Sequence, residues 1–295
     1  MQVLNFGSVN MDVVFQVEHI VRPGETISSY QRKTHAGGKG ANQSVALARA
    51  GVKVFHAGRV GNDGRWLLEK LGNEGVDVKY LEVGEDPTGQ AMIQVDTRGQ
   101  NSIVLFAGAN RKITDVQAQY TIEHFSSGDV LLLQNEINRV DHIMRVGNKR
   151  GMSICFNPAP MGAEVMNYPL ELVNLLVLNE TEGAALTRRE SPADIIKELH
   201  HRYPKAEIIL TLGEQGVRYQ SLQEKHEVPA VKVRAIDTTA AGDTFIGYYL
   251  ACRGKGMNVN TSLRVACQAS ALCVTKPGAM DSIPRKMEVK SFVNG

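Results

Sequence analysis

With 43% hydrophobic residues, a chain of 295 residues can bury a sizeable core, as one large α/β domain or two smaller ones. Its 33 lysines and arginines are balanced by 31 aspartates and glutamates, which excludes the strongly charged face of a nucleic-acid binder or a membrane-surface protein. The four cysteines, Cys155, Cys252, Cys267 and Cys273, form no C-x-x-C pair and no zinc spacing, as expected of buried free thiols in a reducing cytoplasm.

In chain order, the first element is Val3–Phe6, a short β-rich run without the charged and long apolar regions of a secretion signal. Similar runs follow at 52–56, Val130–Gln134, 152–156, 175–178 and 208–212. Most are continuous rather than alternating, which suits strands buried on both faces, and none is long enough to span a bilayer. Helix signals separate them. Residues 41–50 put Ala41, Val45 and Ala48 on one face, with Gly51 as the stop. Asp63 offers a cap for a helix that carries Trp66, Leu67 and Leu71 and ends at Gly75. Thr114-Asp115-Val116-Gln117 reads as a capping box, and Ser191 followed by Pro192 reads as a helix start. This alternation predicts an α/β fold, a doubly wound, mainly parallel sheet flanked by helices.

Two stretches break the pattern. Residues 13–35 hold β-rich runs at 13–17 and 26–35, bridged by Arg22-Pro23-Gly24-Glu25. Residues 89–107 hold runs at 90–95 and 102–106, bridged by Thr97-Arg98-Gly99-Gln100. Both read as strand–turn–strand units with no helix to pack on. Together they predict a small projecting sheet, a lid or homodimer surface. No linker or repeat divides the chain, so the expectation is one domain over residues 1–295 plus this subdomain.

Chemistry-bearing residues gather at the predicted strand ends and helix starts. Asn10-Met11-Asp12 follows the first strand at its carboxyl end, where open α/β sheets hold ligands. Its amide and carboxylate suit vicinal sugar hydroxyls, and the same pair also makes ordinary turns. The run Ala36-Gly37-Gly38-Lys39-Gly40-Ala41-Asn42 permits close backbone approach and adds donors, or is a flexible turn. It is not a P-loop, because Gly40 follows Lys39; nor does Gly7-Ser8-Val9-Asn10 make the dinucleotide fingerprint, which argues against a nicotinamide enzyme. Glu136 stands just past the run ending at Gln134, as a ligand or a helix-entry acid. Asn179-Glu180-Thr181-Glu182 can hold magnesium-bound water around a triphosphate, or is a first-turn acidic cluster. The glycines of Thr211-Leu212-Gly213-Glu214-Gln215-Gly216 let an adenine nucleotide lie on the backbone, or form a plain turn.

The most informative segment is Ile236-Asp237-Thr238-Thr239-Ala240-Ala241-Gly242-Asp243-Thr244-Phe245. Tiny residues before an apolar run predict a helix whose free N–H groups and positive dipole end face an anion. Asp243 beside that anion can accept a hydroxyl proton, as phosphoryl transfer to an alcohol requires, or it merely caps the helix.

Gly7–Asp12, Gly37–Asn42, Pro158-Ala159-Pro160, Asn179–Glu182, Thr211–Gly216 and Asp237–Thr244, in this order, resemble the ribokinase family of ATP-dependent sugar kinases over nearly the whole length. The resemblance implies a ribokinase-like fold, ATP, Mg2+ and K+ as cofactors, and phosphorylation of a primary hydroxyl of a furanose-type sugar, D-ribose first. It implies Asp243 as base and Ala240, Ala241 and Gly242 as anion hole. Asn10, Asp12, Gly38, Lys39, Asn42 and Glu136 match its sugar side. Asn179, Thr211, Gly213, Gly216, Gly242 and Cys267 match its nucleotide side, with Glu182 toward the metal. Asp237, Thr239, Cys273, Lys276, Gly278 and Ser282 match a monovalent-cation site. Three departures stand out: Cys267 replaces a more polar residue near the adenine, Lys276-Pro277-Gly278 replaces a more basic stretch, and bulky Met11 between two sugar ligands implies a pocket altered from that for ribose. The rivals are a fructokinase, deoxyribokinase or nucleoside kinase of the same superfamily, and a non-catalytic sugar-binding protein on this fold.

Overall fold

The computed structural model describes residues 1–294. Its strands are β1 (Val3–Phe6), β2 (Asn10–Gln16), β3 (Gln31–Gly37), β4 (Val54–Gly61), β5 (Asp77–Gly84), β6 (Gly89–Val95), β7 (Asn101–Phe106), β8 (Val130–Gln134), β9 (Ser153–Asn157), β10 (Leu175–Asn179), β11 (Glu207–Thr211), β12 (Val217–Gln220) and β13 (Lys225–Val228). The helices are α1 (Lys39–Arg49), α2 (Arg65–Asn73), α3 (Asp115–Glu123), α4 (Val140–Lys149), α5 (Glu180–Thr187), α6 (Pro192–Arg202), α7 (Ala241–Gly254), α8 (Val259–Val274) and α9 (Lys286–Asn294).

Nine strands form one sheet in the order β13-β12-β11-β10-β9-β8-β1-β4-β5. Pairing is parallel from β11 to β5, and β12 and β13 add an antiparallel edge. The continuous apolar runs are explained by burial on both faces. Along β8, Leu131 and Leu133 face one core and Leu132 the other; along β11, Ile208 and Leu210 face one core and Ile209 the other. One core is closed by α3, α4, α5 and α6, the other by α1, α7 and α8. The chain builds outward from β1 through β4 and β5, then returns to β8 on the other side of β1. The order therefore reverses between β1 and β8, and the crevice beyond their carboxyl ends is where such sheets hold ligands.

A second sheet has the order β3-β2-β6-β7. Two antiparallel units join through the parallel β2–β6 seam. The two strand–turn–strand stretches thus do form one small sheet, with shifted limits. Asn10 and Asp12 belong to β2 rather than to a turn, and β3 begins only at Gln31. One face carries the cross-strand pairs Ala91–Leu105 and Ile93–Ile103.

Local signals held in part. Thr114 accepts from the Gln117 N–H and Ser191 from the Asp194 N–H, so both cap as expected. The Gln117 side chain does not close a capping box; its amide reaches across to the Gly58 carbonyl instead. Nor does Asp63 cap α2. Its carboxylate accepts from the N–H and hydroxyl of Thr88, tying the turn after β4 to the start of β6.

Candidate active site

A cavity of about 450 Å³ lies at the switch point, between the carboxyl ends of the main strands and the small sheet. Asn10 and Asp12 come from β2, Gly38, Lys39 and Asn42 from the start of α1, and Glu136 from the turn after β8. Asn179, Glu182 and Thr211 come from the ends of β10 and β11 and the start of α5, and residues 238–243 lead into α7. Ala91, Ile93, Ile103 and Leu105 of the small sheet supply an apolar wall.

On one side, Glu136 caps not its own helix but α1: its carboxylate accepts from the Lys39 N–H at 3.0 Å and from the Ser8 hydroxyl. Gly38 sits at φ +93°, and a Cβ there would press on the backbone of Ser8 and Asn10, so this turn requires glycine. The Asp12 carboxylate accepts no hydrogen bond among the described residues. Burial, and then the charge of Glu136, push its carboxyl up to about 7. Asn10 is oriented by Asn110, whose amide donates to Asn10 Oδ1 at 2.7 Å. Met11 packs against the core rather than lining the cavity, so the alteration of the pocket expected from its bulk does not arise there.

At the centre stands Asp243, third residue of α7. It is not a helix cap: α7 has no side-chain cap, and the Asp243 carboxylate instead accepts from Asn42 Nδ2 at 3.1 Å and Gln43 Nε2 at 2.9 Å. Burial raises its pKa, against the pull of Lys39 and of those two amides. For Lys39, burial acts to lower the ammonium, and the charges of Asp243, Glu136 and Glu182 outweigh it, leaving it above its ordinary value. Among the described residues, the N–H groups of Gly242 and Asp243 find no acceptor, so the first turn of α7 presents free donors to the cavity. A Cβ on Gly242 would meet only open space, whereas Ala240 holds the left-handed conformation at φ +61°.

The third side is formed by Asn179 and Glu182, which make a reciprocal capping box at the start of α5 while facing the cavity. Burial raises Glu182, with Asp243 adding to it and Asn179 and Lys39 opposing. Gly213, Gly216 and Cys267 are not on the cavity wall. Gly213 lies open in the turn after β11, Gly216 packs on the backbone after β13, and Cys267 is buried in α8 with its thiol pushed up to about 12 by burial. Behind the α7 turn, Asp237 accepts from the N–H and hydroxyl of Thr239 and from the Gly278 N–H. Cys273 Sγ lies 3.1 Å from Ser282 Oγ, the Cys273 carbonyl accepts from the Lys276 N–H, and the Lys276 ammonium turns away to Glu288.

The residues missed from sequence are Gln43, Gln134, Asn157 and Asn110, amides that orient the groups above. A signal existed for one of them: Gln134 is a polar residue closing the apolar run Val130–Leu133.

A switch-point crevice that joins a buried carboxylate, an adjacent lysine and an open helix N-terminus has the parts of a phosphotransferase acting on an alcohol. Comparison with known proteins narrows this. The pfkB family carbohydrate kinase profile matches residues 2–286. A ribokinase of Haemophilus influenzae is 34% identical over 297 residues, covering 97% of this chain and 96% of that one. A deoxyribokinase of Salmonella typhi is 30% identical, covering 100% and 99%. The structure of Arabidopsis thaliana ribokinase complexed with ribose and ATP matches with a TM-score of 0.90 at 28% identity, over 100% of this chain and 99% of that one. The chain belongs to the pfkB family of carbohydrate kinases, and it is an ATP-dependent sugar kinase with the ribokinase fold.

Proposed function

We propose that the enzyme transfers the γ-phosphoryl group of ATP to the primary hydroxyl of D-ribose, giving ribose 5-phosphate and ADP. The observation that carries this reading is Asp243, whose buried carboxylate faces the same cavity as Lys39 and the unpartnered amides of α7. The sugar oxygen bonds to the phosphorus as the bond to the ADP oxygen breaks, and Asp243 takes the hydroxyl proton. Burial raises the pKa of Asp243 and strengthens it as a base. The free N–H donors of Gly242 and Asp243 and the Lys39 ammonium stabilise charge gathering on the phosphoryl oxygens, while the Ala241 N–H is held by the Thr238 carbonyl at 3.3 Å. Asn10, Asp12, Gly38, Asn42 and Glu136 hold the sugar hydroxyls; Asn42 Oδ1, buried and without a partner, suits a hydroxyl donor. Asn179 and Thr211 serve the nucleotide. Glu182, buried and carboxylate-bearing at this wall, suits water around Mg2+, which when bound shields the triphosphate charge. Asp237 and the carbonyls of the 273–282 loop suit K+, whose role is to order the turn before α7.

Residues 1–295 act as one unit, the small sheet closing over the sugar with its Ala91–Leu105 and Ile93–Ile103 face. Its outer apolar residues, Met92, Val104 and Phe106, suit a homodimer contact. Four free buried thiols suit a cytoplasmic enzyme. The similarity to a deoxyribokinase gives the second reading, 2-deoxyribose. ADP release measured over ribose, 2-deoxyribose, fructose and nucleosides tests both: the highest kcat/KM belongs to ribose, and a preference of tenfold or more for another acceptor overturns the assignment.

A further inference from the structure

Behind Asp243 lies a chain of buried amides that the reaction itself does not use. Gln43 and Gln134 are fully buried and do not line the cavity. The Gln43 amide donates to Asp243 Oδ1 at 2.9 Å and reaches Asn157 Oδ1 at 3.3 Å. Its carbonyl accepts from Gln134 Nε2 at 2.6 Å. The second N–H of Gln134 donates to Asn5 Oδ1 at 3.0 Å. Asn5 in turn spends its amide on the Gly40 carbonyl at 2.7 Å and on Ser44 Oγ at 2.8 Å.

The Gly40 carbonyl fixes the polarity of the whole chain, because a backbone carbonyl can only accept. Asn5 must turn its amide to Gly40, so its oxygen faces Gln134. Gln134 must then present N–H groups to Asn5 and Gln43, so the Gln43 oxygen faces Gln134 and its amide faces Asp243. Reversing Gln43 would oppose two N–H donors at one end and two oxygens at the other, both out of reach of water. Oδ1 of Asp243 is thereby held from the protein interior, while Oδ2 meets Asn42, which does line the cavity.

We infer that Gln43 and Gln134 are positioning residues: through a directed chain of amides anchored on Gly40 they lock the Asp243 carboxylate and aim Oδ2 at the acceptor hydroxyl. This rests on Asp243 being the base. Gln134 acts at one remove, through Gln43 alone. The charged and titratable groups facing Asp243 from the other packed elements are Lys39 of α1, Glu182 of α5 and Cys273 of α8, and none of them bonds to Gln43 or Gln134.

The test compares Gln43→Met, Gln134→Met and the double variant by kcat, KM, the pH dependence of kcat and thermal melting. Losing a donor to the ionised form raises an acid's pKa, so the acid limb of kcat moves up by about one pH unit in each single variant. On the acid side of that limb kcat falls about tenfold, with KM for sugar and ATP little changed. The double variant is no worse than Gln43→Met, because the two act in series. An unmoved acid limb, or single effects that multiply in the double variant, overturns the inference. Should a methionine variant fail to fold, Gln43→Asn keeps an amide in the core but ends short of Asp243; it moves the limb upward too, and an unmoved limb there refutes the inference. An Asp243→Asn control separates the failures: if it stays active, the base assignment is wrong; if it is inactive while the glutamine variants are silent, only the positioning claim falls.

Discussion

Asp12 offers a test in which the sign is set by the structure. Its carboxyl stands at about 7 rather than the ordinary 3.8, raised by burial and by Glu136. The folded chain therefore holds a proton that the unfolded chain releases near pH 4. The stability this confers is full below that pH and is lost as pH rises through about 7. A rise of roughly three pH units at about 1.4 kcal/mol each sets an upper figure of ~4 kcal/mol, and the opening toward the cavity screens it to roughly 2 kcal/mol. Asp12→Asn removes the charge without breaking a hydrogen bond, since none within the described residues ends on that carboxylate. Thermal melts of parent and variant from pH 5 to pH 8 give the readout. The variant melts higher at pH 8, by roughly 4–8 °C at about 2–4 °C per kcal/mol, and the gap narrows toward pH 5, closing only below about pH 4. Ribose hydroxyls donating to ionised Asp12 relieve the same cost, so the sugar-induced rise in Tm grows with pH in the parent and stays flat in the variant. Parallel melting curves at every pH would refute the reasoning.

Other perturbations read other parts of the site. Asp243→Asn folds and binds ATP, with kcat lower by ~10²–10⁴-fold as for a lost general base; turnover within a few-fold of the parent contradicts the role. Gly242→Ala melts like the parent, because its Cβ meets nothing within the chain, yet it obstructs the anion at α7 and cuts kcat/KM by about tenfold or more; full activity would remove the anion hole. Saturating sugar slows amide exchange in residues 13–35 and 89–107, and unchanged exchange in both removes the lid. At constant ionic strength potassium raises the rate well above sodium, because ordering Asp237 and the 273–282 loop sets the α7 turn; equal rates in potassium, sodium and a bulky organic cation dispose of the cation site.

Where burial is on both faces, the sequence carries its fold openly. The runs of β1, β8, β9, β10 and β11 were legible because a parallel strand between two helix layers is buried on both faces and reads as a nearly continuous apolar run. β5, β12 and β13 were not, since an edge of the sheet mixes exposed and buried residues without an apolar run. α4 lacked a strong start signal, since it begins after Arg139 in a left-handed conformation, whereas α8 carried one in its Asn258 cap that went unread beside the short turn after α7. At the site, short motifs at strand ends were visible because glycine and acidic residues mark sharp turns and helix starts. Gln43 and Gln134 were silent because an amide on a helix or at a strand end looks like surface until tertiary packing closes over it. Met11 misled because its neighbours Asn10 and Asp12 point to the cavity, and alternation along β2 turns Met11 to the opposite face.

The most direct measurement of the central claim is 31P and 13C NMR of the product formed from ATP and 13C-labelled ribose. The account predicts one phosphomonoester per ADP, coupled to C5 of the sugar, formed by the parent enzyme and lost in Asp243→Asn. Phosphate on another carbon, no transfer to ribose, or the same product at an undiminished rate from Asp243→Asn would contradict it.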